Sequence, residues 1–118
     1  MQRIVLKAKI HKAKVTETNL NYEGSLTLDE ALMHAADMFP YEQVHVYNIS
    51  NGERFITYLI KGEKGSGSVG INGAAVHKAK VGDELIIASY AVLDEEKKDF
   101  FTPKVIIVDE KNRIKLIK

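Results

Sequence analysis

Apolar and polar residues alternate over residues 3–16, with Ile4, Leu6, Ala8 and Ile10 on one side and Val5, Lys7, Lys9 and His11 on the other. A period of two belongs to an extended chain, so this stretch predicts a long β-strand whose second face is mostly basic. Residues 17–24 are polar and turn-rich. Thr27, with Glu30 three residues on, forms a capping box and predicts a helix start. Ala31, Leu32, Ala35, Ala36 and Phe39 would be its apolar stripe, and Pro40 lies just past its end. Ser25 then sits immediately before a helix. Residues 44–47 and 54–60 read as strands, and Asn51-Gly52 between them is a strong short-hairpin signal. On a regular second strand Arg54, Ile56, Tyr58 and Ile60 share one face and Thr57 takes the other.

Residues 62–73 hold five glycines and predict a tightly turning or flexible loop. The run 65–70 fits the spelling G-x-G-x-x-G, but Asn72-Gly73, another turn, follows where a dinucleotide site needs a helix. Residues 85–92 form a very apolar run, as expected of a buried central strand. Residues 94–99 are a solvated charge run, Phe100 and Phe101 read as packing residues, and 105–108 with 114–117 predict a last strand pair. Six or more short strands and one clear helix point to a small, closed, mainly β fold.

The 118 residues suit a single domain, 1–118, with one modest core. Seventeen Lys and Arg against sixteen Asp and Glu give a net charge of +1, so nothing draws the whole chain to nucleic acid or an anionic membrane. The absence of cysteine removes disulfides, thiolate nucleophiles and Cys-ligated metals, and suits a cytoplasmic protein. No apolar signal core opens the chain, because lysines interrupt it, and no stretch approaches the roughly 20 apolar residues of a membrane helix. The glycosylation spelling Asn48-Ile49-Ser50 therefore reads as chance. His34 reads as an exposed or capping residue, with no second His at metal-ligand spacing on its helix.

Three separated segments carry a more specific signal. Tyr22-Glu23-Gly24-Ser25 follows the basic stretch 7–16 (KAKIHKAKVT), and 48–58 (NISNGERFITY) and Asn72-Gly73-Ala74-Ala75 come after it. In order and spacing, over residues 7–89, the chain resembles the aspartate 1-decarboxylases, pyruvoyl enzymes that make β-alanine and CO2 from L-aspartate for pantothenate and coenzyme A synthesis. The resemblance implies a double-psi β-barrel with one or more short helices, assembled as a homotetramer with sites between subunits. It implies a proenzyme that cuts itself between Gly24 and Ser25 into chains 1–24 and 25–118. Ser25 would become the pyruvoyl group, whose ketone forms a Schiff base with the substrate amine, with neither pyridoxal phosphate nor a metal.

Carried over residue by residue, the resemblance makes Tyr58 the proton donor. Lys9, Arg54, Thr57, Gly73, Ala74 and Ala75 would bind substrate, with Tyr22, Tyr47 and Asn72 in support. These residue types suit the work. A guanidinium grips both oxygens of a carboxylate, and a tyrosine hydroxyl remains protonated at neutral pH and can donate. Without the resemblance, Arg54 and the lysines of the first strand would read as ordinary solvated cations, and Asn72-Gly73 as a plain turn. The motif looks complete; a family member that matures only with the help of another protein stays open as an alternative that nothing in the motif indicates. The other alternative is a non-enzymatic double-psi barrel that binds protein or nucleic acid; the basic first strand supports it, while the balanced charge and lack of a basic-aromatic platform speak against nucleic acid.

Overall fold

The computed structural model describes every residue, Met1–Lys118. The elements run β1 (Gln2–Lys14), β2 (Glu17–Asn19), β3 (Ser25–Asp29), α1 (Glu30–Ala35), β4 (Gln43–Asn48), β5 (Arg54–Gly62) and β6 (Val69–Asn72). A 3₁₀ helix (Gly73–Lys78), β7 (Glu84–Asp94), a second 3₁₀ helix (Glu95–Phe100), β8 (Lys104–Val108) and β9 (Ile114–Ile117) complete the chain. The strands hydrogen-bond in the order β2-β6-β3-β5-β4-β7-β1-β8-β9. Pairs β1/β8, β2/β6 and β3/β5 are parallel and the rest antiparallel. Residues 15 and 16 carry the chain from β1 to β2, on opposite sides of this order. Val15 N–H donates to the Asp83 carbonyl at 2.9 Å and Thr16 N–H to the Val69 carbonyl at 2.9 Å, which draws the sheet round one core of 20 buried residues. The architecture is the small, mainly β barrel with short helices that the pattern predicts, and it agrees with a double-psi barrel.

β1 departs from simple alternation. Its register against β7 slips between Leu6 and Ala8 and again between His11 and Ala13, where Lys12 has φ +69°. Directly opposed residues of antiparallel strands share a face. Ile4 and Leu6 oppose Val92 and Tyr90, while Lys9 and His11 oppose Ala88 and Ile86, so all four lie on the outer face. Val5, Ala8 and Ile10 point inward. The extra residue at Lys7 inverts the phase, so the expected grouping of Ile4 and Leu6 with Ala8 and Ile10 does not hold. Lys7 itself is tied to the Glu42 carboxylate at 2.9 Å and the Asp37 carbonyl at 2.7 Å.

The helix begins later than the capping box suggests. Thr27 lies inside β3, between β5 and β6, and its hydroxyl accepts from Asn72 Nδ2 at 3.0 Å instead of capping. Asp29 is the cap; its carboxylate accepts from Ala31 N–H at 2.8 Å. Leu32, Met33 and Ala36 enter the core, whereas Phe39 is exposed, because six helical residues end before that turn is reached. The glycine-rich stretch also differs from expectation. Val69–Asn72 is a fully buried strand flanked by β2 and β3, and only residues 63–68 form the turn. Asp29 holds that turn too, through Gly65 N–H at 2.9 Å and Gly67 N–H at 2.8 Å. Phe100 is exposed rather than packed, since its 3₁₀ helix follows the part of β7 that runs beyond the core. The 51–52 hairpin, the apolar β7 and the β8/β9 pair form as predicted.

Candidate active site

Ser25 opens β3 and pairs with Asn72, the last residue of β6. Its hydroxyl is fully buried and bonded on both sides: Oγ accepts from Asn72 Nδ2 at 3.0 Å and donates to the Glu23 carbonyl at 3.3 Å. The second Asn72 amide hydrogen serves Thr27 Oγ1, two residues along the same face of β3. Asn72 thus fixes the Ser25 side chain from the neighbouring strand. Gly24, one residue earlier, is exposed. Gly73 packs against it with φ +68°; a Cβ there would stand 2.7 Å from Gly24 Cα and 3.0 Å from the Tyr22 carbonyl. Both the left-handed backbone and the close approach require glycine at 73.

A cleft of about 360 Å³ opens over this point, lined by Gly24, Thr57, Tyr58, Asn72, Ala74 and Ala75, with Phe55, Ile56 and Lys78. β3 pairs with β5 only at Leu59 and beyond, so the first half of β5 has β4 on one side and an open edge on the other. The β4/β5 register is regular. Thr57 and Tyr58 belong to opposite faces of an undistorted strand, and both border the cleft because it lies along that open edge. A second groove of about 340 Å³ lies beside Ser50, Asn51, His77, Lys78 and Lys80, and its one carboxylate is engaged structurally: Asp83 accepts from Asn48 Nδ2 at 2.9 Å and Lys80 N–H at 3.0 Å.

Three predicted residues lie elsewhere. Tyr47 and Arg54 oppose each other on β4 and β5, with the guanidinium carbon 4.6 Å from the Tyr47 ring centroid. Lys9 opposes Ala88, which also pairs with His45, so Lys9 shares the outer face with them. Arg54 is four residues from Tyr58, about 13 Å along the strand. Neither Lys9 nor Arg54 is in an ion pair, unlike Arg3, Lys7, Lys61, Lys78 and Lys98. They are free cations on one face. Burial, with the charges of Lys9 and Lys12, holds the nearby His11 imidazole below its ordinary value. Tyr22 is exposed in the turn before the cleft and contributes its backbone to the Gly73 contact.

The description aspartate decarboxylase belongs to the family model that matches residues 1–115. The chain belongs to the aspartate decarboxylase family. A protein of Cupriavidus necator named aspartate 1-decarboxylase is 54% identical over 118 residues, spanning 100% of this chain and 98% of that one. A protein of the same name from Thermoanaerobacter pseudethanolicus is 56% identical over 113 residues, 96% of this chain and 97% of its own. A third, from Syntrophus aciditrophicus, is 53% identical over 115 residues, 98% and 99% of the two chains. In this member of the aspartate decarboxylase family, sequence reasoning missed Lys78, Phe55 and Ile56 at the cleft. It also missed Thr27 beneath the cleft and Tyr90 beside Tyr47. Phe55 and Ile56 stand in the 48–58 segment and Thr27 in the capping box without having been given a part in the site, while Lys78 ends a 3₁₀ helix and Tyr90 reaches Tyr47 only across paired strands.

Proposed function

We propose that the chain cuts itself at Gly24–Ser25 and then decarboxylates L-aspartate to β-alanine and CO2. The observation that carries this reading is the buried Ser25 hydroxyl, held by Asn72 beside an exposed Gly24 at the floor of a cleft. Ser25 Oγ attacks the Gly24 carbonyl, and the peptide bond becomes an ester with the Ser25 nitrogen as a free amine. Elimination then breaks the Cβ–Oγ bond of Ser25, taking its α-proton and leaving Gly24 with a carboxylate. The dehydroalanine left at position 25 takes up water and releases ammonia, giving a pyruvoyl end. Thr57, at the cleft with Gly24, is the candidate donor to the oxyanion of the first step. A donor of this kind is worth about 3 kcal/mol in comparable sites.

The residues at position 25 fit such a group. The small Gly24, Ala74 and Ala75 border open space beside it, and Asn72 offers its amide hydrogens. When bound, the pyruvoyl group supplies an electron sink for the charge left as CO2 departs. Tyr58, in the same cleft, donates the proton that replaces the carboxyl group. Arg54 and Lys9 bind substrate carboxylate. Arg54 stands about 13 Å along β5 from Tyr58, and Lys9 lies three strands from β5, on β1, a spread that suits a site completed by the Ser25 of another copy. This reading favours a homotetramer with sites between subunits. Exposed Ile4, Ile56 and Val92 on the outer face suit that assembly. The absence of cysteine suits a cytoplasmic home.

The test is CO2 and β-alanine release from L-aspartate by purified protein, beside Ser25→Ala. Activity in the wild type and none in an uncut Ser25→Ala chain supports the reading. Cleavage or turnover in Ser25→Ala overturns the serine route; a wild type inactive both alone and in a cell extract returns the chain to the binding-module alternative, and one active only in the extract is a helper-dependent proenzyme.

A further inference from the structure

We infer that Tyr90 is a positioning residue for substrate recognition, acting through Tyr47 to hold Arg54 in its carboxylate-binding pose. The inference rests on the proposed role of Arg54 as carboxylate clamp. Three adjacent strands contribute one side chain each: Tyr90 from β7, Tyr47 from β4 and Arg54 from β5. The two phenol oxygens are 2.8 Å apart. Arg54 lies over the Tyr47 ring, its guanidinium carbon 4.6 Å from the centroid. The His45 ring meets the Tyr90 ring edge-on, with centroids 4.9 Å apart, and fills the space behind the pair.

The arginine has no other restraint. It is exposed, forms no ion pair, and its position is set by the face of one aromatic ring. A ring attracts a cation only while its face is presented. The Tyr47 ring can turn about its side-chain torsions, and its hydroxyl is anchored to Tyr90 alone among side chains. The Tyr90 hydroxyl titrates above its ordinary value, first through the Tyr47 bond and then through burial, so the phenol pair stays intact at neutral pH. A pre-positioned guanidinium loses less conformational freedom when it grips a carboxylate. Loss of the Tyr90 hydroxyl should therefore weaken binding and leave the chemical step unchanged.

The experiment uses the mature enzyme and Tyr90→Phe, Tyr47→Phe, the double variant and Arg54→Ala. Steady-state kinetics with L-aspartate are paired with calorimetric binding of succinate, a dicarboxylate with no amine to react. Tyr90→Phe should raise KM for aspartate and Kd for succinate by about three- to tenfold, with kcat unchanged. Tyr47→Phe should match it, and the double variant should be no worse than either single one, since both remove the same bond. Unchanged KM and Kd in Tyr90→Phe, while Arg54→Ala weakens both, would overturn the positioning role and leave the clamp standing. Additive effects of the two tyrosines would overturn it as well. Unchanged binding in Arg54→Ala would overturn the clamp itself, and this inference with it.

Discussion

Asn72 joins two hydroxyls that stand two residues apart on a neighbouring strand, Ser25 and Thr27. The next residue, Gly73, bears on the backbone that Ser25 is proposed to attack. The consequences can be measured one side chain at a time. Gly73→Ala sets a methyl group against Gly24 and forces a residue with Cβ to hold φ +68°. It should cost about 2 kcal/mol in denaturant unfolding and slow the cut at position 24; unchanged stability and cleavage would mean that Gly24 has room to move. Tyr58→Phe should leave cleavage intact and reduce turnover by 10²-fold or more, in the range of a general-acid contribution of about 10²–10⁴. Full activity in that variant would remove Tyr58 as the donor. Most of the cleft was legible because its residues stand in contiguous motifs: Gly24 with Ser25, Thr57 with Tyr58, and 72–75. Lys78 and Tyr90 were not: Lys78 reaches the cleft from the end of the 3₁₀ helix, and Tyr90 meets Tyr47 across neighbouring strands, neither of which linear spacing encodes.

Among elements, Asp29 holds the most together. One buried carboxylate caps α1 and receives two N–H groups of the 63–68 turn. Asp29→Ala leaves three donors without this partner and should lower unfolding stability by about 3 kcal/mol. A change below about 0.5 kcal/mol in chemical denaturation would show that water replaces the carboxylate without penalty. The same residue explains a misplaced boundary. Thr27 and Glu30 spell a capping box, but β3 is paired on both sides through this segment, and sheet pairing outweighs a local cap. Strand β6 was hidden for a related reason. Gly70 weakens the strand signal, yet its missing side chain lets Glu17 and Thr27 close in from β2 and β3. The bulge at Lys7 had no signal at all, since an ordinary lysine occupies it. The 51–52 hairpin was legible because Asn-Gly favours the backbone it adopts, with Gly52 at φ +79°.

At the scale of the whole molecule, the barrel and the outer face divide the work. The barrel buries Ser25 and opens a cleft along the free edge of β5, while the outer face carries unpaired Lys9 and Arg54 amid exposed apolar side chains. The spread of Tyr58, Arg54 and Lys9 along and across these strands is the physical ground for proposing sites shared between copies. No helix is long and apolar enough to cross a membrane. All of the proposed roles depend on one proposed covalent event at Ser25, so the most direct measurement is the intact mass of denatured, purified protein after warm incubation. The account predicts two species, residues 1–24 ending in a free carboxylate and residues 25–118 beginning with a keto group that blocks sequencing from that end. A single unbroken chain of 118 residues, with serine still at position 25, would contradict it.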